Sequence, residues 1–181
     1  MRDDPAYGLG LKNLTVSLAE PNAFWERAYA SEAHAIGQAL GGAVIEIQHV
    51  GSTAIPGIKA KPIIDIAVGV KHLDDGLGCI DAMKAIGYDY AGNDIVPNDH
   101  IFGRGVTDES RTHLVHVVEH RGDNWNRMIA FRDALRSDIR LARAYEQLKV
   151  GLASEHAERR AEYTKAKRDF IDNVLMASGL R

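Results

Sequence analysis

Residues 49–70 read HVGSTAIPGIKAKPIIDIAVGV, and this stretch decides the fold. The run AVIEIQHV just before it (43–50) and PIIDIAVGV at its end (62–70) are short, β-branched and apolar, and a Gly/Pro-punctuated connection joins them, which predicts two neighbouring strands. A strand period of two puts Ile64, Ile66, Val68 and Val70 on one face and Ile63, Asp65, Ala67 and Gly69 on the other. Asp65 therefore leaves the apolar face. A carboxylate in mid-strand is costly unless it is solvated, paired or bound to a metal. It follows a Gly51-Ser52 turn that offers backbone N–H groups and a hydroxyl to an anion. These parts suit a metal-bound phosphate ester, with Gly51 and Ser52 on phosphate oxygens and Asp65 on Mg²⁺, or Mn²⁺ in its place. The plainer alternative is a connecting loop and a solvated or salt-bridged strand residue.

Outward from this stretch, Trp25, Tyr29, Ala33, Ile36 and Leu40 recur at helical spacing between Pro21 and Gly41-Gly42, predicting a helix over roughly 22–41. Leu73, Leu77, Ile80 and Met83 predict a second helix ending at Gly87. The run HLVHVV (113–118) predicts a third and last strand beyond a polar loop over 92–110. From Asn124 onward the apolar pattern is helical to the end. The expected class is α+β, a small sheet in front of a helical C-terminal half, in one domain over 1–181.

The 181 residues carry a net charge of −3, and this near balance argues against a general nucleic-acid binder. A single cysteine, Cys79, excludes an internal disulfide framework. No apolar run approaches the roughly 20 residues that cross a bilayer, and the polar start MRDDPAYGLG shows no export signal. A cytoplasmic protein with no membrane partner is the expectation.

The 49–70 string resembles the signature of the GrpB (UPF0157-type) family, within the nucleotidyltransferase superfamily. RTHLVHVVE (111–119), FRDALRSDIRLARAYEQLK (131–149), YTKAKRDFI (163–171) and Trp25 with Glu32 are similar to further segments of that family. The resemblance implies a mixed sheet of nucleotidyltransferase type and, as function, Mg²⁺-dependent transfer of a nucleotidyl group from a nucleoside triphosphate to an acceptor. A catalytically lapsed module that binds a nucleotide or other phosphoester is the alternative. Active members of the superfamily carry a second aspartate on the strand and a third acid on a later one. Here Ala67 occupies the second position, and the inward candidate on the later strand is His116, which shares its face with Leu114 and Val118. Asp65 as metal ligand, with His116 completing the site or acting as base, is the resulting assignment. The histidine pair many relatives show is absent, because Leu114 stands where its partner would be.

Other candidates are each paired with a structural alternative. His49 is a phosphate contact or a hydrogen-bonder that positions the turn. Lys59 and Lys61 are phosphate contacts or solvated lysines; Arg104, in FGRG, is an anion clamp over the site or a surface arginine. Arg132 and Lys149 are inward-facing bases closing a cleft, or helix-surface charges. Tyr145–Lys149 and Tyr163–Lys167 both read Tyr-x-x-x-Lys, without the glycine-rich turn that dehydrogenase chemistry needs. They read as amphipathic pairs, ring packed and ammonium exposed.

Overall fold

A computed structural model describes residues 2–12, 14–94, 96–105 and 110–180. Five strands, β1 (Val44–Val50), β2 (Ile64–Val70), β3 (Asp89–Gly92), β4 (His100–Arg104) and β5 (His113–Glu119), form one mixed sheet in the spatial order β1-β2-β5-β4-β3. Only β2 and β5 run parallel; the other neighbours are antiparallel. Helix α1 (Trp25–Leu40) and the short α2 (Asp75–Gly78) and α3 (Ile80–Ala85) precede the second half of the sheet. Four helices follow it: α4 (Asp123–Ser137), α5 (Ile139–Glu155), α6 (Arg160–Ala166) and α7 (Arg168–Ala177). The class is α+β, as the sequence predicts.

Two expectations need correction. The sheet does not end at three strands: β3 precedes and enters the stretch read as a polar loop, and β4 lies within it. β3 is four residues long with an irregular register, and β4 sits between Asn98-Asp99 and Gly105 with its polar ends, His100 and Arg104, paired inside the fold. Length and composition therefore hide both. The helix expected up to Gly87 is two short ones meeting at Cys79. Gly76 lies so close to the His100 ring that a Cβ there would stand 3.0 Å from its Cγ. Chain packing, not helix propensity, chooses that glycine.

Each face of the sheet carries its own core. On one, Ile64, Ile66, Val68 and Val70 of β2 pack with Val115 and Val117 of β5 against Trp25, Ile36 and Met83. Burying each large aliphatic side chain is worth roughly 1.5–3 kcal/mol. That sum fixes which way β2 faces, because a one-residue slip would turn its apolar set outward. The opposite face is thinner. Val50, Ala67 and Val118 meet Trp125 of α4, while a separate cluster of Ile55, Ile58, Leu135, Ala142, Tyr145 and Val174 ties α4, α5 and α7 to the connection after β1.

The α1 face also holds a buried ion network. Glu32 is fully buried and accepts from Arg2 Nε (2.8 Å), Tyr88 Oη (2.8 Å) and an Arg104 guanidinium nitrogen (2.8 Å), while Arg104 also bonds Asp3 at 2.7 Å. Burial would raise the Glu32 carboxyl, but the bond from Arg2, then His113, Tyr88 and Arg104, together hold it below its ordinary value. Removing one partner of a buried pair strands the other charges. Glu32→Gln is expected to lower stability by about 3 kcal/mol in urea denaturation, and a loss under about 1 kcal/mol would show that the network is not the tie it is taken for.

Candidate functional site

The site is built where β1 ends and β2 and β5 begin. Gly51 follows β1 with φ +70° and ψ −172°, a conformation that favours glycine. It has a second reason to be glycine: a Cβ there would stand 2.8 Å from the Cβ of Asp65 and would overlap its carboxylate. The turn and the aspartate are thus in direct contact. Ser52–Ala54 form one 3-10 turn, with Ala54 and Ile55 N–H groups bonded back to Gly51 and Ser52 carbonyls.

That turn is braced from two sides. His49 faces α1, stacks on Tyr29 at 4.7 Å, and bonds Glu26 and Thr53 Oγ1 at 3.1 Å each. Burial pushes its pKa below the ordinary value despite Glu26. From α4, Arg132 donates to the His49 carbonyl (2.9 Å) and Gln48 (2.6 Å), and Arg136 donates to the Ala54 carbonyl (2.7 Å). His49 and Arg132 therefore position the turn.

On the α4 face, parallel pairing sets Asp65 beside Leu114 and Ala67 beside His116. Asp65 and His116 share that face as diagonal neighbours, with Cα atoms on the order of 8 Å apart from strand spacing and rise. His116 Nδ1 bonds Asp99 Oδ2 at 2.6 Å, and Asp99 is set by β4. Burial alone would lower the His116 pKa; the Asp99 bond, the Asp99 charge and the Asp65 charge outweigh it and hold it above the ordinary value. A shift in that direction favours donation to an anion over service as a base.

The helical half brings cations to this carboxylate. Lys61, in the connection leading into β2, and Lys167, where α6 meets α7, both stand over the Tyr163 ring, 5.6 and 4.4 Å from its centre. Lys149 stands 4.9 Å over Tyr145, and its ammonium donates to the Lys59 carbonyl. Tyr145 lies against Ser52 and feels the charge of Asp65. Arg160 feels Asp65 and Arg111, and the Arg111 guanidinium lies directly over Gly103 of β4, on the same face. Burial first, then Arg160, pushes Lys61 down to about 8, with Asp65 opposing. Burial likewise takes Lys149 to about 8 and, with Lys61 adding to it, Lys167 to about 7.

Of the sequence candidates, Gly51, Ser52, Asp65, Lys61 and His116 come together around this face, with Lys149 beside them. Lys59 does not: its ammonium reaches Glu20 at 2.7 Å on the surface. Arg104 lies on the opposite face, committed to Glu32 and Asp3, so it is no clamp over Asp65. The Tyr-x-x-x-Lys pairs need correction too. Their rings are packed as expected, but Lys149 is 1% exposed, and the two pairs converge on one place from different helices. Lys167, Arg160, Arg111 and Asp99 carried no signal as single residues; the repeated tyrosine–lysine spacing was the available clue. Two surface concavities, one by His156, Glu162 and Arg168 and one by Arg127, Asp172 and Leu180, do not include Asp65.

The donors on this face do not make a two-metal centre. Asp65 is the carboxylate beside the turn, Asp99 is engaged by His116, and Glu46 is bonded to Gln48 and His120. Among the described residues no group of three or more His, Cys, Asp or Glu side chains is placed to hold a metal ion. The Asp65 charge acts on the cations Lys61, Arg160 and Lys167.

The GrpB protein family model matches residues 15–177. The chain belongs to the GrpB family. It is 36% identical over 170 residues to the glutamate-rich protein GrpB of Alkalihalophilus pseudofirmus, covering 92% of this chain and 98% of that one. It is 33% identical over 150 residues to the UPF0157 protein YqkA of Bacillus subtilis, covering 83% of this chain but 43% of that longer protein. The crystal structure of the conserved protein GrpB from Enterococcus faecalis superposes with a TM-score of 0.79 at 30% identity, over 87% of this chain and 94% of that one. No helix among the described residues is long and apolar enough to cross a membrane.

The lysines give this GrpB chain a pH signature. An unfolded lysine titrates near 10.4, so between about pH 7 and 10 the unfolded chain holds more protons than the native one, and stability rises with pH. Denaturant midpoints are expected to climb across that window, and Lys167→Met to flatten the climb. A midpoint that is level or falls from pH 7 to 9 would contradict the burial of these amines.

Proposed function

We propose that this chain binds a phosphorylated small molecule, a nucleotide or related phosphoester, on the α4-side face of β2 and β5. The observation that carries the reading is the direct contact of Gly51, at the head of the Gly51-Ser52 turn, with Asp65, whose charge acts on Lys61, Lys167 and Arg160. A braced turn and several preorganised cations suit phosphate oxygens, and ordering them in advance lowers the cost of binding. Ser52 donates its hydroxyl, the lysines and Arg160 neutralise charge, and His116, oriented by Asp99, donates from its free nitrogen.

Nucleotidyl transfer on a nucleotidyltransferase-type fold is the enzymatic form of the same proposal. In it Asp65 and His116 are the catalytic residues and Mg²⁺ accompanies the triphosphate. The His116–Asp99 pair beside Asp65 favours it, since such a dyad can hold or deliver a proton at Nε2. Ala67 in place of a second acid, and the cations around Asp65, favour binding without turnover.

Calorimetric titration with nucleoside triphosphates in Mg²⁺ buffer tests the binding. Ser52→Ala is expected to weaken it by about 1 kcal/mol, the worth of one hydrogen bond. Pyrophosphate release that vanishes in His116→Ala would establish transfer. Absence of binding by every triphosphate would refute the assignment.

A further inference from the structure

Resting on that reading of the site, we infer that it takes its ligand as a metal-free polyanion: a triphosphate chain, free or as a nucleoside ester, held by Lys61, Lys167 and Arg160 and by the Tyr163 hydroxyl, with the buried Lys149 adding to the positive field. Three observations lead there. First, Asp65 is the carboxylate that acts on Lys61, Lys167 and Arg160 alike, so a single negative charge faces three cations, with Lys149 adding to the field at Lys167. A monophosphate leaves that excess largely unbalanced. A triphosphate offsets it.

Second, the Tyr163 hydroxyl is fully buried and has no hydrogen-bond partner among the described residues, although Lys61 and Lys167 flank its ring. Native folds rarely leave such a group unpaired, because its desolvation is not repaid. A phosphate oxygen beside the two ammonium groups supplies the missing acceptor. Third, the cations occupy the surroundings of Asp65 where metal chemistry would need further carboxylates, and the described donors form no metal-holding group. Lysine and arginine here do the neutralising that Mg²⁺ does at acid-rich phosphate sites. The depressed lysines are the counterpart: crowded amines whose charge is costly in the protein alone and is stabilised by an arriving anion.

The two accounts of Asp65 predict opposite signs. As a metal ligand it is required, and Asp65→Asn abolishes binding. As a counter-charge to the cations it opposes an anionic ligand, and Asp65→Asn leaves affinity unchanged or raises it.

The experiment is calorimetry of the full chain at pH 7 with inorganic tripolyphosphate, ATP, AMP and orthophosphate, each in EDTA and in excess Mg²⁺. Tripolyphosphate is expected to bind in EDTA at least about a hundredfold more tightly than orthophosphate, and more weakly once Mg²⁺ cancels part of its charge. Arg160→Gln and Tyr163→Phe are each expected to cost about tenfold, the usual size of a hydrogen bond to a charged group. Tyr163→Phe does so with its urea midpoint unchanged or raised, since the hydroxyl it removes is unpaired. ATP binding above tripolyphosphate assigns the nucleoside ester, and equal affinity assigns the chain alone; both support the inference. Affinity that requires Mg²⁺, or is lost in Asp65→Asn, overturns it while leaving phosphoester binding intact. No affinity for any of the four in either buffer overturns both.

Discussion

The site depends on one close contact: the backbone of Gly51 against the side chain of Asp65. Nothing larger than hydrogen fits there, so the turn after β1 and the first residues of β2 are locked together. β2 in turn is held in register by four buried aliphatic residues on its other face. The carboxylate's position is therefore a consequence of core packing on the side of the sheet it does not touch. His49 and Thr53 fix the turn from the α1 side, and Arg132 and Arg136 from α4.

Around this fixed carboxylate the helical half acts as a source of charge. α5 sends Tyr145 and Lys149 inward, and α6 with its junction to α7 sends Arg160, Tyr163 and Lys167. The rings are buried in the protein and carry ammonium groups on their faces, an arrangement that desolvates a lysine while the aromatic quadrupole partly compensates. Such a cluster costs stability in the empty protein. An anion bound there, as proposed above, would offset that cost.

Much of the sheet side was legible in the sequence. Period-two alternation in 62–70 and 113–118 put Asp65 and His116 on one face, and register pairing of β2 with β5 shows the two as diagonal neighbours. The strands β3 and β4 were hidden because four residues, or five with polar ends, give no periodicity to read. Asp99 was lost with them, since only the β4–β5 register carries it to His116. The basic cluster was hidden for a different reason. Tyr145–Lys149 and Tyr163–Lys167 are ordinary one-turn pairs on any single helix, and their meaning appears only when the fold brings the two pairs together. Arg104 misled in the opposite sense: a glycine-flanked arginine in an expected loop is a strand residue bonded to Glu32.

The central claim is that cations from the helical half and the turn at Gly51 grip the same ligand. The most direct measurement is a crystal structure of this chain grown with tripolyphosphate. The account predicts phosphate oxygens within hydrogen-bonding distance, about 2.7–3.2 Å, of Tyr163 Oη, Lys167 Nζ and Ser52 Oγ in one continuous chain of density. Density confined to the concavity near Arg127 and Asp172, or a cleft that stays empty at saturating ligand, would contradict it.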